Sequence, residues 1–334
     1  MESSAGIANR SANAGAALRG GDRPLKRHRG GNGSHRPERR AVTSAGLIAH
    51  ARDYIALTKP RIISLLLWTT VMTMLVARPS GLALSTVLWT CLGGYLAAGG
   101  AGAINHYIDR DIDARMGRTR GRPIVSGRIE PVHALVFGIA LGILATVQLA
   151  ITVNALAAAL SLTGLLGYTL MYTAWLKPRT PQNIVIGGAA GAIPPLVGWA
   201  AATGGLALDA LYPFAIIFLW TPPHFWALAL LISDDYERTG VPMLPVVRGK
   251  EFTRSRILAY SIVLVAFTVL PVVTGLFGGI YLATALILGA AFLIGAARLQ
   301  RNPSKQAALR LYLGSLAYLF VLFAAMAADR VIGV

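Results

Sequence analysis

Acidic residues are scarce in this chain. Its 334 residues hold 14 Asp and Glu against 31 Lys and Arg, and charged residues make up 13% of the whole, about half the roughly 25% of a soluble domain. That poverty argues against an ordinary soluble enzyme. Cysteine is nearly absent: Cys91 stands alone inside an apolar run. A disulfide framework and a Cys/His metal cluster are therefore excluded, and no thiol chemistry is implied. Disorder of the whole chain is excluded too, because 55% of the residues are hydrophobic and the mean hydropathy is +0.58.

What is present is a series of apolar runs of about 20 residues, the length of a bilayer-crossing helix. The pattern predicts an all-α, polytopic membrane protein with nine spans, at about 62–78, 83–106, 132–151, 154–176, 183–202, 211–232, 257–277, 280–298 and 308–328. The third and fourth runs almost touch and read as a tight hairpin. Gly and Ala recur inside the spans, as at Gly187, Gly188, Gly191 and Gly198, which suits close helix packing. Pro222 and Pro223 in the sixth run predict a break at membrane depth, tolerated where backbone lines a cavity.

Residues 1–50 are different material, rich in Gly, Ala, Ser and Arg. They read as a disordered basic cytoplasmic tail ahead of an intramembrane domain at 51–334. A mitochondrial transit peptide is the alternative; the glycine content and weak amphipathicity argue against it. The net charge of +17 would suggest nucleic acid on a soluble protein, but its placement removes that partner. Twelve Lys and Arg precede or include Arg61, and most of the others fall in the loops after spans 2, 4, 6 and 8. The opposite face has only Arg78 and Arg330. By the positive-inside rule the N-terminus is cytoplasmic and the C-terminus outside, as an odd number of spans requires.

The few acids are concentrated as well. Asp109, Asp111, Asp113, Asp234, Asp235 and Glu237 lie at the cytoplasmic ends of spans 2 and 6. Asn105, Asp109 and Asp113 are four apart, one stripe on a helix. Like charges so placed repel unless a cation lies between them, and carboxylate and amide oxygens suit Mg²⁺, whose shell substrate phosphates complete. Arg118 and Arg122 follow, with guanidinium forks that match phosphate oxygens. Together they predict a diphosphate site; the plain alternative is a charged interfacial face with snorkelling arginines. Asp234 and Asp235 offer a second metal position, with Asp235 preferred. Lys177 and Arg179 after span 4 lie on the same face. In Trp220-Thr-Pro-Pro-His224-Phe-Trp226, an intramembrane His is a functional candidate by default; His106, beside the Asp stripe, is a weaker one.

These residues resemble the UbiA-type intramembrane prenyltransferases. Asn105-x3-Asp109-Arg110-x2-Asp113-x4-Arg118-Thr119-x2-Arg122-Pro123 is similar to their first aspartate-rich motif. A closer resemblance, to the protohaem IX farnesyltransferase (haem O synthase) branch, rests on Thr58-Lys-Pro-Arg61, Met171 to Lys177, Thr180 to Gly188, Trp220 to Trp226, and Asp235-Tyr236 with Gly240 to Pro245. It spans about residues 50–330. Pro178 departs from it, standing where a basic residue is expected, and Leu231 lacks the carboxylate of quinone-directed relatives.

The resemblance implies a UbiA-type helical bundle and transfer of farnesyl from farnesyl diphosphate to a vinyl group of haem B, giving haem O for haem A and cytochrome oxidase. It implies Mg²⁺ as cofactor, held by Asn105, Asp109, Asp113, Asp234 and Asp235. Diphosphate would be held by Arg110, Arg118, Arg122, Lys177 and Arg179, with Asp109, Asp113, Asp235 and Lys177 catalytic and His224 and His106 on haem. It implies the lipid bilayer as surroundings, a bacterial plasma membrane in preference to a mitochondrial inner membrane, and association with haem A synthase. A quinone-type aromatic prenyltransferase and a cation-coupled transporter are the competing readings. A transporter would place acids near the midplane of several spans; here they gather at one interface.

Overall fold

A computed structural model describes residues 44–333, so the tail expectation for residues 1–43 lies outside the described residues. Helix α1 (Ser44–Thr58) precedes the first span, α2 (Pro60–Ala77). Then follow α3 (Leu84–Ile108), the short α4 (Arg110–Arg115), α5 (Pro131–Thr152), and α6 (Ala155–Leu166), which continues as a π-helix over Gly167–Leu176. The second half holds α7 (Asn183–Thr203), α8 (Leu211–Leu231), α9 (Ser233–Thr239), α10 (Leu244–Val247), α11 (Gly249–Val273), α12 (Gly279–Arg301) and α13 (Lys305–Ile332). Among the described residues nine helices are long and apolar enough to cross a membrane, and no strand is present.

Local chemistry sets the boundaries. Pro60 and Pro131 occupy the first turns of α2 and α5, where a missing N–H costs nothing. Asn154 turns the α5–α6 hairpin: its Oδ1 accepts from the Ala157 N–H at 2.8 Å and its Nδ2 donates to Ala200 O at 2.9 Å. The Asp329 carboxylate of α13 accepts from the Gly278 and Tyr281 N–H groups, capping the start of α12 from another helix. The seventh span begins at Gly249, eight residues before its apolar run, because a charged amphipathic turn extends it beyond the membrane core.

Pro222 and Pro223 do not break α8, which runs unbroken through both. The expectation of a break is corrected here. Neighbouring helices enclose the segment, and the Thr221 hydroxyl adds a bond to Ile217 O at 2.8 Å in the turn just before the carbonyls that the prolines leave without donors.

The spans form a ring: α2, α3, α5, α6, α7, α8, α11, α12 and α13, the last returning to α2. Helix α7 is the inner member, with 67% of its most apolar stretch buried, and it packs on α2, α6 and α8. Without a hydrophobic drive between helices in lipid, close contact depends on small residues. A Cβ on Gly100 of α3 would stand 2.6 Å from the Gly138 carbonyl oxygen of α5, so this crossing requires glycine. Longer contacts pin α13: the indole of Trp220 donates to Ser315 O at 2.8 Å, and that of Trp68 to Phe320 O at 3.0 Å. Outward faces carry exposed Leu, Ile and Val, such as Ile143, Ile151 and Ile287, as a lipid-facing surface should.

Candidate functional site

The end of α3 carries the first cluster. The Asp109 N–H bonds to Asn105 O at 2.9 Å and the Asp113 N–H to Asp109 O at 2.8 Å, so helical spacing survives the change from α3 to α4. All three side chains are buried. Asn105 sits between two lysines from distant parts of the chain. Its Oδ1 accepts from Lys59 Nζ at 2.6 Å, and its Nδ2 donates to Asp109 Oδ2 at 2.8 Å and to Thr173 Oγ1 at 3.1 Å. Lys177 Nζ donates to the same Asp109 oxygen at 2.6 Å. The result is a buried chain, Lys59–Asn105–Asp109–Lys177, linking α3 to the ends of the first and fourth spans.

Asp113 pairs with Arg122, and its backbone oxygen accepts from the Thr119 hydroxyl at 2.7 Å. Burial pushes the Asp113 carboxyl above its usual range, with the Arg122 guanidinium opposing. Lys59 is pulled down to about 7, first by burial and then by Arg122. It is also strained: at φ 57° it is the one non-glycine with positive φ among the described residues.

The second cluster joins the first through the short helices, since α4 packs on α9. A Cβ at Gly117 would be 3.9 Å from Asp235 Oδ1, which places that carboxylate beside the loop following Asp113. Burial holds the Tyr236 hydroxyl above its usual range, with the neighbouring Arg118 opposing. Asp235 is sheltered and paired with Arg238, whereas the Asp234 side chain is 75% exposed and faces Lys250 at 3.7 Å. A hydrogen bond from Ser233, then Lys250, hold the Asp234 carboxyl below its usual range. The geometry brings Asp235, not Asp234, to the first cluster.

Other expected residues have other partners. Arg110 lies over the Tyr107 ring at 4.6 Å and donates to Tyr107 O at 2.9 Å. Arg179 donates to Ala174 O and Trp175 O, both at 3.1 Å, closing the end of its own helix. Neither contact joins them to the Asp109 and Asp113 network. Asn105 has its amide oxygen committed to Lys59, which argues against its being a metal ligand. His106 is buried beside the network. His224 lies in the other half of the bundle: its Nδ1 is 2.6 Å from Ser315 Oγ, and its ring stacks between Trp220 (4.1 Å) and Tyr312 (4.8 Å).

Sequence reasoning did not assign roles to Lys59 and Thr173. The Thr58-Lys-Pro-Arg61 motif marked the place but not the contact. Thr173 lies in the π-helix, where its hydroxyl donates to Tyr168 O five residues back at 2.8 Å. Single-turn π-bulges are the usual form and concentrate at functional sites; here ten residues are so wound, and Lys177 follows directly.

Lys59 also lines an apolar cavity of about 240 Å³ between α2, α3, α6 and α7. Its walls include Ile62, Leu66, Ala98, Leu165, Tyr168 and Val197, so the polar cluster adjoins a greasy chamber through Lys59. Among the described residues no three His, Cys, Asp or Glu side chains converge as a preformed metal cage. Asp109 Oδ1, however, is buried and has no hydrogen-bond partner. An orphaned carboxylate oxygen near a second carboxylate fits Mg²⁺, which takes one or two carboxylates and completes its shell with phosphate oxygens and water.

A sequence profile of the UbiA prenyltransferase family matches residues 66–325. The chain belongs to this family. A protoheme IX farnesyltransferase of Roseiflexus sp. (strain RS-1) is 55% identical over 282 residues, covering 84% of this chain and 53% of that protein. Its namesake in Alkalilimnicola ehrlichii is 49% identical over 290 residues, covering 86% and 96%. The chain thus spans about half the length of the first of these relatives and nearly all of the second. Solved UbiA-type folds agree. A digeranylgeranylglyceryl phosphate synthase structure superposes with a TM-score of 0.71 at 18% identity, covering 85% of this chain and 99% of that one. A UbiA homolog from Archaeoglobus fulgidus bound to DMAPP and Mg²⁺ gives 0.60 at 15% identity, covering 84% and 100%.

Proposed function

We propose that this UbiA family member transfers the farnesyl group of farnesyl diphosphate to a vinyl group of haem B, producing haem O. The observation that carries the reading is the buried Lys59–Asn105–Asp109–Lys177 network, with Asp113 and Arg122, which meets an apolar cavity at Lys59. The names of relatives about half identical in sequence support the choice of substrates.

Breaking the C1–O bond of the allylic diphosphate leaves negative charge on the departing oxygen. Lys177, Arg118 and Arg122 supply preorganised positive charge there, in a buried setting where each contact is stronger than in water. Asp109, Asp113 and Asp235 are assigned to Mg²⁺. That ion would neutralise diphosphate and hold it in line. Asp109 also holds the Lys177 ammonium in place before substrate arrives. The apolar walls take the farnesyl chain and exclude water from the allylic cation. The vinyl π electrons form the new C–C bond, and a water molecule then adds to the resulting cation as hydroxyl and loses a proton. No protein nucleophile is needed. His224, between Trp220 and Tyr312, is assigned to the haem side. The basic loops support a site on the cytoplasmic face, and the bacterial relatives support a plasma membrane as its setting.

The test is expression in membranes of a host that makes no haem O, with extracted pigments separated by chromatography. Haem O is expected from the wild type with Mg²⁺ and farnesyl diphosphate, and none from Asp113→Asn. Absence of any prenylated haem from wild-type membranes, together with prenylation of an aromatic acid, would overturn the assignment.

A further inference from the structure

A second cleft lies away from this site, between α12 and α13. It has a volume of about 350 Å³ and opens on the outer surface of the bundle. Its lining combines the buried Phe292, Leu311 and Tyr318 with small residues nearer the surface, Ala291 and Gly295 on α12 and Gly314 and Ala317 on α13. Gly314 and Ala317 are exposed, and a Cβ added at Gly314 would meet nothing within 4 Å. At one end stand Arg298, in the last turn of α12, and Arg310, in the second turn of α13. By the order of spans this end shares the membrane face of the Asp109 and Asp235 clusters. Among the described residues neither guanidinium is in an ion pair or donates a side-chain hydrogen bond.

An apolar channel running into the hydrocarbon, with two uncommitted guanidiniums at the headgroup level, has the chemistry of one occupant. We propose that this groove binds an anionic glycerophospholipid, its phosphate between Arg298 and Arg310 and an acyl chain along Gly295, Gly314 and Ala317. Charge complementarity decides for a lipid over another helix. A second copy of this chain would bring the same two arginines against each other, whereas a lipid phosphate accepts a fork from each. Positive-inside anchoring alone accounts for basic residues at this face, but not for their lining the same cleft as the apolar and small residues of α12 and α13. Arg301, on the same helix end but outside the groove, is the internal control for that distinction.

The test is native mass spectrometry of the full chain in detergent after delipidation, titrated with phosphatidylglycerol and with phosphatidylcholine. Wild type is expected to bind one phosphatidylglycerol in preference to phosphatidylcholine. Removing one headgroup-level arginine weakens such binding about fivefold, so Arg298→Gln with Arg310→Gln should weaken it roughly 30-fold. Gly314→Leu fills the channel and should abolish retention with the charges intact, while Arg301→Gln should match wild type. Glycerol 3-phosphate, which has no acyl chain, should not compete. Equal loss in Arg301→Gln, displacement by glycerol 3-phosphate, or unchanged binding in the double variant would each overturn the proposal. So would a shift of Gly314→Leu from dimer to monomer with lipid retained, which would make the groove a self-association surface.

Discussion

Replacing Lys177 by Met tests the centre of the site. The substitution keeps an unbranched side chain of similar length and removes one charge. In the wild type, Asp109 Oδ2 receives Lys177 Nζ at 2.6 Å and Asn105 Nδ2 at 2.8 Å, with the Asp109 and Lys177 side chains 5% and 11% exposed. Removing one partner of a buried pair costs about 3–5 kcal/mol, because the remaining charge stays desolvated. Asn105 still donates to Asp109, so the lower end, about 3 kcal/mol, is expected. Two readings follow. Thermal unfolding of the purified variant, followed by tryptophan fluorescence, should occur at a clearly lower temperature. Mg²⁺ with inorganic diphosphate should then raise the variant's midpoint more than the wild type's, because a divalent cation replaces the lost ammonium on Asp109. Catalysis loses one preorganised cation at the leaving group, so turnover to haem O should fall about 10²–10³-fold. Product formation within threefold of wild type, or an unfolding midpoint that does not move, would refute the reasoning.

Two further outcomes separate the neighbouring groups. Asp235→Asn should lower turnover at least as much as Lys177→Met, while Asp234→Asn, altering an exposed side chain, should stay within threefold; initial rates in membranes measure both. Lys59 gives a pH signature. Its folded-state pKa, about 7, lies below the ordinary lysine value, so the unfolded chain binds more protons between the two and stability rises with pH there. Unfolding midpoints from pH 6 to 9 should climb more steeply for the wild type than for Lys59→Met; parallel curves would contradict this.

The spans were legible because a bilayer imposes a length and a composition that few other environments require. Each of the nine runs matches a helix, with the largest displacement where α11 extends from Ile257 back to Gly249 into charged sequence. The Asn105–Asp109–Asp113 stripe was legible from its spacing, which the backbone preserves across two helices. What composition could not show was which arginines face inward. Arg110 and Arg122 look alike in sequence, yet Arg110 lies on Tyr107 while Arg122 reaches Asp113. The part of Lys59 was hidden for a related reason: it approaches Asn105 from 46 positions away, through a left-handed backbone turn that a residue before proline does not advertise. Pro222 and Pro223 misled because their effect depends on what surrounds the helix.

The wide winding of Gly167–Leu176 has a consequence for how this segment can change. A π-helix, bonded five residues back, turns less per residue than the 100° of an α-helix, so a change in the number of residues wound this way would alter the bearing of everything beyond it. Thr173 and Lys177 would then leave Asn105 and Asp109 and face lipid or a neighbouring helix. Its ten-residue length therefore matters to the candidate site as much as the amino group that follows it.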